Sequence, residues 1–159
     1  MNMNQRQQGF SLIELLLVVA IISIISAIAV PNLLASKRAA NEGSALSSLR
    51  TITSAEATYQ ATAGAGSYGT LSDLNLAALV DSSLSGSTIA APKSGYAFAA
   101  TPDALTPKAQ YLTTASTSRP NGATATGSRN FASDSTGVIT SGAASTTALA
   151  NNNGTPIGN

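Results

Sequence analysis

GFSLIELLLVVAIISIISAIAVPNLL, residues 9–34, decides how this chain folds. The eight residues before it, MNMNQRQQ, are mostly polar and carry one cation, Arg6. From Leu15 to Ser36 there are 22 residues without a charge, rich in Leu, Ile, Val and Ala. As a helix that stretch spans roughly 33 Å, enough to cross the hydrocarbon core of a bilayer. It is apolar on every side, so it has to be covered by lipid or by other helices.

Past Lys37 the pattern turns amphipathic. Leu46, Leu49, Ile52, Ala55 and Tyr59 recur at spacings of three and four and share one helical face. Arg38, Glu42, Arg50 and Glu56 are expected to fall mostly elsewhere on the wheel. The first strong stop signal is Gly64-Ala65-Gly66, so one helix is expected from about Ser11 to Thr62. Pro31 is its expected kink, because proline deletes a backbone donor and crowds the preceding turn.

The remainder reads as a small, mostly β head. A helical turn is expected over 72–79, and strands over 95–101, 109–116, 129–133 and 138–140. Asp134-Ser135-Thr136-Gly137 is the candidate hairpin turn, with Gly137 free to take positive φ. Residues 142–159, a run of Ala, Ser, Thr and Asn, are expected to be a mobile tail. The organisation is therefore a leader at 1–9, an apolar half-helix at 10–36, an amphipathic half-helix at 37–62, a head at 63–141 and the tail. The fold class is α+β, a long N-terminal helix packed on a small antiparallel sheet.

Composition excludes several functions. The chain has no His and no Cys, which removes the commonest general base, the thiolate nucleophile and any disulfide. Ser and Thr are abundant, but none stands in a nucleophile pattern beside a base, so no enzyme activity and no cofactor are expected. The net charge is +1, and the cations of the head (Lys93, Lys108, Arg119 and Arg129) are scattered, so no nucleic-acid partner is expected. Asp73, Asp81, Asp103 and Asp134 do not follow an EF-hand spacing and read as turn or capping residues, so no metal is expected. Between Phe10 and Tyr59 no aromatic occurs, a gap of roughly 74 Å along a helix that excludes a chain of touching rings within one subunit. Asn153-Gly154-Thr155 fits a glycosylation sequon, a tripeptide that also arises by chance.

Glu14 separates the readings of residues 9–34. A secretory signal would carry a shorter apolar run followed by a small-residue cleavage site. A plain anchor needs neither Gly9 nor an acid inside the span, where a carboxylate is disfavoured by about 3 kcal/mol at the centre and less toward an end. A capping box from Ser11 to Glu14 is physically sound, but it leaves Gly9-Phe10 and the long helix unexplained.

Together these residues resemble the prepilin signature of type IV pilins and of the related pseudopilins of type II secretion. The resemblance covers residues 6–62 and is loose beyond them. It implies that a prepilin peptidase cuts after Gly9 and methylates the new amino terminus of Phe10. It implies that Glu14 serves assembly by pairing with the Phe10 ammonium of a neighbouring subunit, and that Pro31 is the family's helix-disturbing proline. Physics agrees with the pair, since each charge is costly alone among apolar helices. The implied partners are further copies of the chain in a homopolymer, the peptidase, and a membrane platform driven by motor ATPases. The implied location is the inner membrane for the precursor and the cell surface for the filament, with a pseudopilin of type II secretion as the alternative. Two features depart from the family. There is no Cys for its common C-terminal disulfide loop, and Arg6 before the span against Lys37 and Arg38 after it gives no orientation by cation count.

Overall fold

A computed structural model describes residues 9–106 and 109–157. The expected leader residues 1–8, with Arg6, and also Lys108 lie outside the described residues. The chain forms two compact units that meet in sequence at Ala35 and Ser36. Helix α1, Leu12–Ala61, contributes its first 24 residues to one unit and the rest to the other.

In the first unit, nearly every residue of α1 is exposed. Two of its polar side chains turn back onto the helix: Ser23 Oγ donates to the Val19 carbonyl at 2.8 Å and Asn32 Nδ2 to the Ile28 carbonyl at 3.1 Å. Such bonds to the preceding turn let a polar residue sit in an apolar segment without an unmet donor. Pro31 lies inside α1, which stays helical on both sides of it. The donor that position 31 lacks would have served the Ala27 carbonyl.

The second unit begins with the amphipathic part of α1. Of its buried residues, Glu42, Ala45, Leu49, Ile52 and Glu56 recur at three, four, three and four, and Ser48 and Ala55 flank them. This corrects the expectation for two acids. Glu42 and Glu56 continue the apolar stripe in both directions and are buried with it, at 8% and 0% exposure. The helix ends where Gly64 N–H donates to the Tyr59 carbonyl and Gly66 N–H to the Gln60 carbonyl, with Ala65 and Gly66 both at positive φ.

Two short helices follow. In α2, Leu71–Leu76, Thr70 and Asp73 form a reciprocal capping box. The helix is shorter than expected because the chain turns left-handed at Ala78 (φ 57°), where the Leu79 N–H donates to the Leu74 carbonyl. In α3, Ser82–Ser85, which the sequence did not suggest, Asp81 is the N-cap and accepts from the Leu84 N–H at 2.7 Å.

Five strands form one antiparallel sheet in sequence order: β1 Tyr96–Pro102, β2 Tyr111–Thr117, β3 Arg129–Asp134, β4 Ile139–Ala143 and β5 Thr155–Pro156. The first four lie within three residues of the expected ends. The β3–β4 turn is the expected one, with Gly137 at φ 75° and its N–H on the Asp134 carbonyl. Tyr96, Phe98, Ala100, Ala115, Phe131 and Ile139 meet Leu49, Ile52, Leu74 and Leu84 in the core. Aromatic packing continues in Tyr96 against Phe131, with ring centroids 5.9 Å apart.

The C-terminal segment corrects the expected mobile tail. β2 and β3 do not alternate between buried and exposed; almost every residue is buried. Thr114, Ser116, Ala132, Asn130 and Thr140 alternate with the core-facing positions and are buried as well, so something covers the second face of the sheet. Residues 144–153 supply that cover. Leu149 lies so close to Gly142 that a Cβ there would come within 2.8 Å of its Cδ2, and the segment then returns as β5 beside β4.

Candidate functional site

The bond between Gly9 and Phe10 precedes the helix, in a stretch with no regular structure, and both residues are exposed, Phe10 by 80%. A Cβ built on Gly9 meets nothing within 4 Å. No packing in the fold therefore asks for glycine at position 9. Helix α1 opens with the Leu15 N–H donating to the Ser11 carbonyl at 3.2 Å, which leaves Glu14 in its first turn. A carboxylate there is favoured by the positive end of the helix dipole.

Glu14 stands in a sleeve of exposed large apolar side chains that runs from Leu12 and Ile13 through Val30 and Leu33. Among the described residues no hydrogen bond or ion pair reaches its carboxylate, and the alternative reading of Glu14 as a capping-box partner of Ser11 finds no such bond. Such a helix needs a hydrocarbon or protein surround, and any surround that excludes water also asks for a cation at Glu14. Pro31 lies farther along the same sleeve.

A model described as the prokaryotic N-terminal methylation motif matches residues 4–30. The type IV wide pilus major component PilA4 of Thermus thermophilus is 57% identical to this chain over 35 residues. Over that N-terminal segment the chain resembles the type IV pilins. The stretch shared with PilA4 covers 22% of this chain and 27% of the relative, so the likeness to PilA4 concerns a short segment. No solved structure matches the chain.

Of the charged groups in the head, most are spent on structure. Glu42 accepts from Ser128 N–H at 2.8 Å, from Ser128 Oγ at 2.5 Å, and from Arg129 Nε and its terminal nitrogen at 3.2 and 2.9 Å. Burial pushes this carboxyl up, and the Ser128 and Arg129 contacts more than offset that, so its pKa ends below the usual range. Lys93 pairs with Asp81 at 3.5 Å. Asp73, Asp81, Asp103 and Asp134 each accept from nearby backbone N–H groups as caps or turn anchors. Among the described residues no three acidic side chains gather.

The sequence reading missed two acids. Glu56 Oε2 accepts from the Gly69 N–H at 3.0 Å while Oε1 has no partner. Burial pushes its pKa up to about 7; the Gly69 bond opposes the rise and the charge of Asp73 adds to it. The available signal was spacing: Glu42 and Glu56 lie three before Ala45 and four after Ile52, on the stripe itself.

Proposed function

We propose that this chain is a structural subunit of a type IV pilus. Cleavage after Gly9 and N-methylation of Phe10 precede polymerisation of residues 10–159 into a filament. The observation that carries the reading is the sleeve of α1, an apolar segment of membrane-spanning length with one acid, Glu14, four residues after Phe10 and inside the matched methylation motif. Before assembly the sleeve sits in the inner membrane; afterwards it packs against copies of itself, and Glu14 meets the Phe10 ammonium of a neighbour. A prepilin peptidase performs the cut, and a membrane platform with motor ATPases drives growth and retraction. The likeness to a pilus component supports this reading over a pseudopilin of type II secretion.

Intact-mass measurement on sheared fibres tests it. The expected species is residues 10–159 plus one methyl group. Fibres that still carry residues 1–9, or cells that make the protein without fibres containing it, would overturn the proposal.

A further inference from the structure

The low-complexity C-terminal segment is held by a side chain that nothing in its own composition announces. Asn130 of β3 is fully buried and uses its whole hydrogen-bonding capacity. Its Nδ2 donates to the Ser145 carbonyl at 2.9 Å and to the Thr147 carbonyl at 3.0 Å. Its Oδ1 accepts from the Thr117 N–H at 2.9 Å and the Ser145 N–H at 3.3 Å. The bond from Thr117 extends the β2–β3 pairing past its last backbone pair, Ala115 and Phe131. One amide thus joins two strands and the segment that covers them.

The rest of the segment is held at a few points. Thr117 Oγ1 donates to the Ser145 carbonyl, Asn152 joins Thr140 and the Val138 carbonyl, and the Ile157 N–H donates to the Ile139 carbonyl. Gly154 lies so close to β4 that a Cβ there would fall 2.5 Å from the Ser141 carbonyl oxygen. Apolar cover comes from two half-buried side chains, Leu149 over Gly142 and Ile157 against the core. Residues 148–153 form one wall of an open groove of about 630 Å³ whose opposite wall includes Ala99, Thr101, Leu112 and Thr114. The chain has no Cys that could staple the segment covalently.

We propose that residues 144–157 form a latch closed by Asn130, which opens as a unit while β1–β4 and the core beneath them stay folded. Its retention rests mainly on directed hydrogen bonds, with half-buried Leu149 and Ile157 as its apolar contacts, and such thinly packed regions open locally at lower free energy than the core. Because no covalent bond takes part, opening needs no reductant. The proposal is independent of whether the chain polymerises.

Hydrogen exchange of the full chain in detergent micelles, resolved by residue, tests it. In the unmodified protein the Ser145 and Ile157 amides are expected to exchange at least about tenfold faster than the β2–β3 amides of residues 112–115 and 131–134. Asn130→Ala is expected to raise Ser145, Ile157 and Thr117 exchange by about tenfold or more and leave the β2–β3 amides unchanged. Asn130→Asp keeps the acceptors and loses both donors to the carbonyls, so it too is expected to open the latch at neutral pH. Ser141→Cys with Thr155→Cys, at directly paired positions, is expected to restore protection at Ile157 once oxidised. Equal exchange of latch and sheet in the unmodified protein, or a uniform rise across the sheet in both Asn130 variants, would overturn the latch. So would an oxidised pair that leaves Ile157 unprotected.

Discussion

At Glu14 a single carboxylate sits in the first turn of α1, in an apolar segment that otherwise excludes charge, four residues after Phe10, whose free amine would arise on cleavage after Gly9. Glu14→Ala and Glu14→Gln are expected to leave membrane insertion and leader cleavage intact and to abolish fibre yield, read by shearing fibres beside a membrane-fraction blot. Glu14→Asp keeps the charge with a shorter reach and is expected to retain partial yield. Normal fibres from Glu14→Ala would reduce the residue to a favourable helix-terminal charge. Glu56 offers a second test at this scale, in the head. Its pKa rises from the ordinary 4.5 to about 7 on folding, with Asp73 as the nearby acid and the Tyr111 hydroxyl as a titratable group that feels its charge. The folded chain therefore holds a proton between those values that the unfolded chain has released, so stability falls as pH rises from about 4.5 to 7 and is level above. Glu56→Gln is expected to flatten that slope in thermal melts, leaving the variant more stable than the parent at pH 8 by on the order of 2 kcal/mol. Glu42, with its pKa lowered, acts in the opposite sense: its contribution is full at neutral pH and is lost as pH falls through the acid range.

Among the elements, α1 was the most legible, because an uninterrupted apolar run followed by a three-and-four spacing admits one secondary structure and Gly64-Ala65-Gly66 admits no continuation. The strands were legible from alternation in β1 and from the Asp134–Gly137 turn. Two things were hidden for physical reasons. A glutamate on a helix is placed in water by default, so the partners that make burial of Glu42 tolerable, 86 and 87 residues away, had to be known first. The tail has no periodicity because its backbone carbonyls, held by Asn130, do much of the work that side chains do elsewhere. Pro31 carries the prediction at this scale. In the single chain α1 is helical through Pro31, yet the Ala27 carbonyl lacks its usual donor there, and Gly43 adds a second position of low helix propensity. In the packed filament the turns near Pro31 are expected to unwind, with neighbours meeting the freed carbonyls. A filament density map with continuous, straight helix through residues 26–36 would exclude that.

At the scale of the molecule the two units answer to different solvents. The core of the second is built wholly from residues 45 onward, whereas the large apolar side chains of the first are exposed. Deleting residues 1–35 is expected to give a protein that stays monomeric without detergent and unfolds in one cooperative thermal transition, whereas the full chain aggregates unless detergent or lipid is present. A non-cooperative melt of the shortened chain would show that the head depends on the segment removed. The order of the sheet has a further consequence, for speed. Every strand pairs with its neighbour in sequence, so the sheet closes by successive local hairpins with little loop entropy to overcome at each step. With no cysteine to oxidise, no thiol oxidant is required for the head to reach its final form. A sheet connected in this order lets the head assemble by local zipping rather than by a search for distant partners.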